Sequence, residues 1–562
     1  MCPVWQRPSV LRTDGWRSAL GSRSSMSLIR GRLRSRARLA DVTVIGVIAA
    51  FPILYGFFAI LLGQDADYDL LNYHYFDPYW AFVNHMADIA PAHTQTFLNP
   101  LLDTPFYFAA NHLPGRLVGF LLGAAAGVSF VPLYLIGRDL LNSRWPALAL
   151  AALGMFTAGA WSEAGTIFGD SLTAPLFLFS VWLVLRTIRV DAVSSGQRRA
   201  LILVALAGLL AGVGAGLKLS GAPWAIATAA ACLLVTGGPR KRLGYALAAS
   251  GGVVGGLILS DGWWVWSMWS QFGNPLMPFF NQFFKSVWAA PVSFSDPRYG
   301  AHGLIQVLDF PFKWTLTPTR VGEVTFRELS LPIVEVLLLA VTVKGVVATV
   351  RRRAWTPFLL RVESRYVMAW VVIGYLAWAV AFGVYRYLIP VEMLSFILIV
   401  VLLRELFGKP APRMLFAAVT SVILAVAIAT EVPANWGRVG YAHRYFSVPV
   451  PPALSRQPSA VLMLGDGAIG FAIPSFPRDT FFAWVQGFAP PTPFVHAIIA
   501  KRLASYPAIY AVSTGSVATG EQQSVLAGYG LHVDAASCNT INATVGDSVQ
   551  PLYLCSLLRG PG

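Results

Sequence analysis

Charged residues, cysteines and the motifs of soluble enzymes are all scarce in this sequence. Asp, Glu, Lys and Arg together make up 12% of the 562 residues, whereas 56% are apolar. That balance excludes an ordinary soluble protein. The sequence has neither a phosphate loop with Gly-Lys-Ser/Thr nor a Gly-x-Ser-x-Gly nucleophile elbow. ATP hydrolysis and serine-hydrolase chemistry therefore have no support.

Acidic residues are the scarcer of the two charged classes. The chain has 27 Asp and Glu against 42 Lys and Arg, which gives a net charge of +15. The basic residues lie between apolar runs and in the first forty residues, not on one face. We interpret this excess as a signal of membrane orientation, and we expect no nucleic-acid partner.

Apolar runs dominate the chain as far as residue 430. They predict eleven membrane-spanning helices, several of them shorter than the ~20 residues of a straight crossing. If the basic N-terminus is cytoplasmic, alternation places the arginine-rich loops on the cytoplasmic side as well. The predicted spans are 42–63, 117–136, 146–161, 171–185, 200–217, 222–235, 243–260, 331–350, 366–384, 388–403 and 415–430.

The sequence thus predicts an α-helical polytopic protein of the plasma (inner) membrane. Residues 1–40 form a basic cytoplasmic segment, and residues 41–430 form the transmembrane domain. Two long loops of that domain, the first loop (64–115) and the second loop (261–330), fall on the extracytoplasmic side.

The C-terminal domain (431–562) differs in character, because apolar spans stop and polar residues return. We predict a small extracytoplasmic α/β domain. Its predicted strands are 460–464, 508–513 and 552–557, and its predicted helix is 494–506.

Four cysteines occur in the chain, and two of them lie close together near the C-terminus. Cys555 stands in a predicted strand, and a neighbouring strand would bring Cys538 within the ~5.5 Å that a disulfide requires. Extracytoplasmic domains permit such a bond, so we predict that the two are joined.

The segment from Gly465 to Gly470, Gly-Asp-Gly-Ala-Ile-Gly, formally matches the dinucleotide-binding fingerprint. The βαβ unit of about 30 residues that the fingerprint requires is missing. We interpret the segment as a tight turn that needs glycine.

The first loop concentrates carboxylates and aromatic rings beside the first span. Carboxylates at a membrane surface are costly unless they face water, protein or a ligand. Asp77-Pro78 predicts a helix start, with the helix lying on the membrane surface. The carboxylates are Asp65, Asp67, Asp69, Asp77, Asp88 and Asp103.

These residues suit a reaction on a lipid-linked substrate. A carboxylate can deprotonate an acceptor hydroxyl as general base. Lys218 or Arg386 can hold an anionic phosphate leaving group, and aromatic rings can pack against sugar faces and prenyl chains.

Simpler roles stay open for each candidate. Asp69 can cap a helix, Lys218 can reach the interface by snorkelling, and Arg386 beside Tyr387 can anchor the chain at the headgroups. A divalent cation is possible but uncertain, since His74 and His85 lack the i, i+4 pairing of a metal-binding helix. We therefore assign no metal ligands. Glu163 and Asp170 can cap the ends of adjacent spans, or they can contact substrate.

The layout resembles the polytopic glycosyltransferases of the C superfamily (GT-C fold), which take sugar from a polyprenyl-phosphate donor. In the protein mannosyltransferase and aminoarabinose transferase groups, a catalytic Asp near the start of the first outer loop is followed by Glu and, four residues after the Asp, by Tyr. Asp69 and Tyr73 keep that spacing in Asp-Leu-Leu-Asn-Tyr, without the Glu. Asp67 and Asp65 are rival catalytic residues.

Other segments resemble uncharacterised bacterial members of that superfamily. They are Asn-Tyr-His-Tyr from Asn72, Gly-Asn-Pro from Gly273, and Phe284-Lys285. The resemblance implies an inverting, hexosyltransferase-like enzyme with a polyprenyl-phosphate sugar donor and a lipid or glycan acceptor of the cell envelope. The candidate substrate-binding residues are Tyr73, His74, Lys218, Lys285, Arg386 and Tyr387.

The main alternative is a multi-span transporter or a lipid flippase for envelope precursors. Such a protein needs ionisable groups near the middle of the bilayer and broken helices in repeated halves. The sequence shows no convincing internal repeat, and its unusual charges collect at the predicted outer edge. A non-catalytic assembly protein would suit the C-terminal domain better than the Asp-rich first loop.

Overall fold

The computed structural model describes residues 23–191, 197–234, 238–292, 294, 298–352, 361–408, 412–517 and 520–560. The chain divides into two units, residues 1–50 and residues 51–562. The first unit contributes the N-terminal part of helix Arg23–Leu62, so the basic segment is helical from Arg23 onward. Residues 1–22 of that segment lie outside the described residues. Apart from the start of the span Val42–Leu62, the remaining helices and strands belong to the second unit.

Long apolar helices form most of the described chain, because only a helix satisfies its own backbone hydrogen bonds in lipid. Eight are long and apolar enough to cross a membrane, and a ninth span exists if a helix pair bent by 56° counts as one. These are the helices of a multi-pass membrane protein. The eight are Val42–Leu62, Gly115–Leu141, Asp170–Arg189, Gln197–Leu217, Pro239–Phe272, Ser330–Arg352, Val362–Ala381 and Arg413–Thr430, and the bent pair is Tyr385–Glu392 with Ser395–Phe407.

The predicted count of eleven spans is not confirmed. The runs predicted at 146–161 and 222–235 form helices Arg144–Gly154 and Ala222–Ala231, which have 11 and 10 residues. Both are shorter than the ~20 residues that a straight crossing needs.

Arginines from separate loops converge on one end of the span Gly115–Leu141. Arg189 lies 2.8 Å from Asp139, and Arg361 donates to the carbonyl of Leu140. Arg404 donates to the carbonyl of Leu141 at 3.1 Å. These loops therefore share one end of the bundle, as the charge distribution predicts, while the membrane side that this end faces stays a prediction.

The C-terminal domain is built on a seven-stranded sheet. Strand Ser459–Met463 pairs in parallel with Phe481–Trp484 and Ala508–Ser513, and the other pairings are antiparallel. Helices Pro493–Leu503 and Gly520–Ala527 complete the domain, so its predicted α/β character is confirmed. The remaining strands are Phe446–Ser447, Leu531–Val533, Asn539–Val545 and Ser548–Arg559.

A disulfide joins Cys538 to Cys555, as predicted. Cys555 lies in strand Ser548–Arg559, and Cys538 directly precedes the paired strand Asn539–Val545. The two cysteines lie close together in space because the strands beside them are paired in the sheet.

The first loop packs on the C-terminal domain. Strand Gln64–Asp65 pairs with Arg438–Val439, and Ile89 bridges to Ala483. The amide of Gly115 donates to the carbonyl of His443 at 3.2 Å. The two regions therefore lie at the same end of the bundle, opposite the arginine end, while the extracytoplasmic location of both stays a prediction.

The Gly-rich turn lies at this interface. Gly465 has a φ of +85°, and a Cβ at Gly470 would lie 1.9 Å from the carbonyl oxygen of Asn72 in the first loop. Because Gly470 opens the short 3₁₀ helix Gly470–Ser475 instead of a long phosphate-binding helix, glycine serves here for close backbone approach.

Two predictions about helix Phe76–Phe82 are wrong. It does not lie free on a membrane surface, because residues from Phe76 to Trp80 are buried and the helix packs against Gly470–Ser475. Its capping position is Tyr75, and Asp77 lies in the first turn.

The predicted second loop starts inside a helix, because Pro239–Phe272 continues past residue 261 through the tryptophans. Where this helix leaves the membrane stays a prediction.

Candidate functional site

An ion pair between Asp69 and Arg386 lies at the centre of the candidate site. Asp69 comes directly before the π-helix Leu70–His74, and Arg386 lies in the 3₁₀ helix Tyr385–Leu388 that opens the bent pair. Their nitrogen and oxygen are 2.9 Å apart, and the side chains of Arg386 and Asp69 are only 10% and 12% exposed. Burial pushes the pKa of Asp69 upward, but the neighbouring positive charges, of which Arg386 contributes most, together hold that pKa below its usual value. Asp69 is therefore an ionised carboxylate.

Arg386 is held between aromatic rings. Its guanidinium carbon lies 4.3 Å from the ring centroid of Phe168 and 5.6 Å from that of Tyr387. Its Nε is buried and has no hydrogen-bond partner among the residues that the structure describes. Stacking fixes the plane of the guanidinium and leaves a donor for an anionic ligand.

Lys218 is a second buried cation next to this pair. Its Nζ lies 2.7 Å from the carboxylate of Asp170, donates to the carbonyl of Phe168, and lies 5.7 Å from the Tyr387 ring centroid. Only 15% of the Lys218 side chain is exposed, so it does not extend to the interface by snorkelling. Phe168 and Tyr387 thus contact both cations.

Glu163 and Asp170 have different surroundings. Glu163 accepts from the amide of Ser171 at 2.9 Å, which caps helix Asp170–Asp191 as predicted. Burial, and then the charge of Asp170, raise the pKa of Glu163 well above its usual value. Asp170 instead holds Lys218 and accepts from Ser220 at 3.1 Å.

The π-helix Leu70–His74 places Tyr73 and His74 beside the charged groups. His74 Nδ1 lies 2.9 Å from Asp103, whereas its Nε2 is buried without a hydrogen-bond partner. Burial, followed by the charge of Asp69, raises the pKa of Tyr73 well above its usual value. Tyr73 therefore keeps its hydroxyl proton at neutral pH and can act as a donor.

Asp65 and Asp67 face backbone amides instead of cations. Asp65 accepts from the amide of Ile167 at 3.1 Å, and Asp67 accepts from that of Leu70 at 3.0 Å. Burial, and then the charge of Asp65, raise the pKa of Asp67 well above its usual value. Both geometries are those of structural caps.

A cleft lies between the first loop and helix Pro239–Phe272. Asp69 and Arg386 do not line it, but Lys218 does, and Lys218 contacts Phe168 and Tyr387 as Arg386 does. Its lining combines polar and apolar side chains, so it matches an amphiphilic molecule. The polar lining includes Tyr73, His74, Asn99, Asp103, Lys218 and Asp261, and the apolar lining includes Trp264, Met268, Met277 and Phe279.

Lys285 does not belong to this arrangement. It is exposed, it ends the four-residue helix Asn281–Phe284, and it has no contact with the other candidates among the described residues. The Gly-Asn-Pro segment does come near, since Pro275 lines the cleft. Asn274 is buried and holds the turn by accepting from the amide of Leu276 at 2.9 Å.

Sequence reasoning missed Gln95 and Phe168. Gln95 donates to Asp69 Oδ1 at 3.3 Å and accepts from Asn72 at 2.7 Å. Neither residue stands in a motif, and only the fold brings them to Asp69 and Arg386. Asp103 and His74 were both visible as unusual residues of the first loop, but their pairing was not predicted.

No group of three or more His, Cys, Asp or Glu side chains that could hold a metal ion occurs in the described part of the chain. We therefore assign no ligands to a divalent cation.

No protein-family model matches the chain, and no curated protein matches it. Solved structures of an oligosaccharyltransferase from Archaeoglobus fulgidus show a distant likeness. Its crystal structure in the apo form is 10% identical with a TM-score of 0.40, over 86% of this chain and 70% of that one. A structure of the archaeal oligosaccharyltransferase AglB from the same organism, with an inhibitory peptide and a dolichol-phosphate, is 10% identical with a TM-score of 0.42, over 85% of this chain and 70% of that one. Values this low assign neither an activity nor a ligand to this chain.

Proposed function

We propose that this chain is a membrane glycosyltransferase of the GT-C type. It moves a sugar from a polyprenyl-phosphate donor to a lipid or glycan acceptor of the cell envelope, at the extracytoplasmic face of the plasma membrane. The observation that carries the proposal is the buried pair of Asp69 and Arg386 beside an amphiphilic cleft.

The cleft suits a prenyl phosphate. Trp264 and Met268, in its apolar lining, belong to the candidate span Pro239–Phe272, and apolar side chains of this kind can contact a prenyl chain. Lys218 belongs to the polar lining, and Arg386 lies close to Lys218 through their shared contacts with Phe168 and Tyr387. Buried cations are the groups that bind a phosphate most strongly.

In the reaction, an acceptor hydroxyl oxygen attacks the anomeric carbon of the donor sugar. A new carbon–oxygen bond forms while the bond from that carbon to the phosphate oxygen breaks. The hydroxyl proton passes to Asp69, and the polyprenyl phosphate leaves with the bonding electrons. Attack from the face opposite the phosphate inverts the anomeric configuration.

Arg386 keeps this step electrostatically balanced. As Asp69 takes the proton and loses its negative charge, the leaving phosphate gains one. Because Arg386 lies beside Asp69, its charge can then be shared with the phosphate oxygen without any net change in nearby charge.

Asp69 suits the role of general base better than its rivals. The base must be ionised before the reaction, and Asp69 has a lowered pKa and a cationic partner. Asp67 has a raised pKa and caps the Leu70 amide with one oxygen, and both oxygens of Asp65 cap backbone amides.

A transfer assay tests the proposal. Purified protein in lipid nanodiscs is incubated with a panel of radiolabelled polyprenyl-phosphate hexoses and pentoses and with an envelope lipid extract. We expect labelled glycolipid and released polyprenyl phosphate from at least one donor, and loss of both in Asp69→Asn. A folded wild-type protein that transfers no sugar from any donor would overturn the proposal.

One observation favours the flippase alternative, namely the helix pair Tyr385–Glu392 and Ser395–Phe407, bent by 56°. Discontinuous helices line substrate sites in transporters. Proteoliposomes with a fluorescent polyprenyl-phosphate sugar distinguish the two functions. Protein-dependent movement between leaflets without any new glycosidic bond would favour the flippase.

A further inference from the structure

A second cavity, of about 200 Å³, lies where the first loop, the start of the second loop and the C-terminal domain meet. It is distinct from the amphiphilic cleft, but Phe97 lines both. No role in the proposed reaction has been given to it so far.

Aromatic rings form much of its wall. The ring centroids of Trp80 and Phe272 are 6.4 Å apart in a stacked arrangement. The ring centroids of Phe272 and Trp288 are 5.3 Å apart in an edge-to-face arrangement. Trp484 contributes a further ring from the C-terminal domain. Sugar rings present apolar C–H faces that pack well on such surfaces.

Two buried polar side chains lie in the same wall with unused hydrogen-bonding atoms. Asp88 is 4% exposed and His93 is 3% exposed. One oxygen of Asp88 accepts from the amide of Phe482 at 2.8 Å. Within the described part of the chain, the other oxygen, Oδ2, has no hydrogen-bond partner, and neither has His93 Nδ1. Unsatisfied polar atoms at such depth are costly, and hydroxyl groups of a ligand would satisfy them.

The charge state of this wall favours a neutral ligand. Burial lowers the pKa of His93 to about 3, so its imidazole is uncharged at neutral pH. Burial raises the pKa of Asp88 to about 7, so much of that carboxyl is neutral as well. Arg502 lines the cavity but is already engaged, since it donates to the carbonyl of Ala87 and lies 5.1 Å from the Phe481 ring centroid.

The cavity is joined to the proposed general base by one short element. The 3₁₀ helix His93–Phe97 starts at the cavity wall with His93, and Gln95 donates to Asp69. A 3₁₀ helix rises about 2 Å per residue, so His93 and Gln95 are separated by about 4 Å along its axis. The wall of the cavity is therefore connected to Asp69 through this one helix.

We propose that this cavity binds a neutral pyranose ring of the acceptor, with Asp88 and His93 contacting its hydroxyl groups and the aromatic wall contacting its C–H face. The inference rests on the proposed function and narrows the acceptor to a glycan or a glycolipid. It makes Asp88 and His93 positioning residues that select and orient the acceptor.

Saturation-transfer NMR on the full-length protein in nanodiscs tests the proposal, because it detects weak ligands. The probes are methyl glucopyranoside, methyl mannopyranoside and methyl galactopyranoside. We expect saturation of the ring protons of at least one probe, reduced at least fivefold in Asp88→Asn and in His93→Gln. Asn retains the acceptor for the Phe482 amide, so the local fold should persist.

Two further variants make the result specific. Ala289→Trp fills the cavity without touching either polar residue, and it should abolish saturation. His85→Gln, in the same loop but outside the cavity lining, should leave it unchanged. Folding of each variant is checked by size-exclusion elution and by intrinsic fluorescence.

The outcomes separate this inference from the proposed function. Asp69→Asn should keep pyranoside binding while losing transfer. Absence of pyranoside saturation in a protein that transfers sugar overturns the inference alone. Saturation that persists in Ala289→Trp also overturns the inference. Binding of apolar peptides in this cavity, without binding of any pyranoside, does so as well. If pyranoside saturation depends on His93 but the protein transfers no sugar, the proposed function is overturned. The cavity is then a carbohydrate-binding site without a transferase.

Discussion

Arg386 Nη2 lies 2.9 Å from the carboxylate of Asp69, and this contact joins the first loop to the turn that opens the bent helix pair. The ion pair favours the ionised form of Asp69, because Arg386 contributes most to the positive charges that together lower the pKa of Asp69 against the effect of burial. Asp69 is therefore deprotonated at neutral pH. Protonation of this group should therefore not limit the reaction at mildly acidic pH.

Replacement of the proposed base should affect turnover and not donor binding. Asp69→Asn keeps the shape of the side chain and removes the proton acceptor, so we expect kcat to fall by about 10²–10⁴-fold. Binding of the polyprenyl-phosphate donor, measured by tryptophan fluorescence quenching, should stay close to that of the wild type.

Asp67→Asn and Asp65→Asn are the matched controls. An Asn oxygen can still accept from the capped amide, so both variants should retain much more activity than Asp69→Asn. If Asp67→Asn is inactive and Asp69→Asn is active, Asp67 is the base and our assignment within the loop is wrong.

Removal of one partner of the buried ion pair should destabilise the protein more than removal of both. Arg386→Gln leaves an uncompensated carboxylate, a change that costs about 3–5 kcal/mol for a buried pair. The double variant Asp69→Asn/Arg386→Gln should recover part of that loss. Thermal unfolding followed by size-exclusion chromatography measures the difference, and additive effects of the two changes would contradict the coupling.

Asp88 should give the protein a pH-dependent stability. Its pKa is about 7 when folded, against ~3.9 when unfolded, so between these values the folded state binds more protons. Stability is then lost as pH rises from about 4 to about 7, and it levels off above. Asp88→Asn lacks this dependence, so its stability relative to the wild type should rise by about 3 kcal/mol between pH 5 and pH 8. An unchanged difference between the two thermal midpoints across that range would rule out the raised pKa.

Much of the architecture followed from periodicity and charge. Long apolar runs predicted the helices that are long and apolar enough to cross a membrane. Loop arginines such as Arg189 and Arg404 predicted which loops lie at the same end of the helix bundle. Short apolar segments predicted three of the sheet strands. These signals are local, so a single sequence carries them.

The site was only partly predictable, because it depends on contacts between distant segments. Asp69 and Arg386 were each visible as unusual charges, but nothing local indicates that they pair. Gln95 and Phe168 have no motif, and their roles come from the fold alone. Lys285 shows the converse error, since a short resemblance suggested a role at a position that the fold leaves outside the site.

The disulfide gives a prediction that is independent of catalysis. Cys538 and Cys555 are 17 residues apart, and closing a loop of that size contributes about 3 kcal/mol in the chain-entropy description. Replacing both cysteines by Ser should therefore lower the thermal midpoint of the C-terminal domain. Alkylation of oxidised, denatured protein followed by intact-mass analysis should modify two of the four cysteines, whereas modification of all four would show that the bond is absent.

The last prediction concerns the side of the membrane on which the site lies. The first loop pairs with Arg438–Val439 of the C-terminal domain, so one label on that domain reports the side of both. Ser447 is exposed at the end of strand Phe446–Ser447, and a cysteine introduced there should react with a membrane-impermeant maleimide in intact cells. Gln197 begins the helix after an arginine-rich loop on the opposite side, so Gln197→Cys should react only after permeabilisation. The reverse pattern would place Asp69 and Arg386 in the cytoplasm, where a donor presented at the outer face cannot reach them.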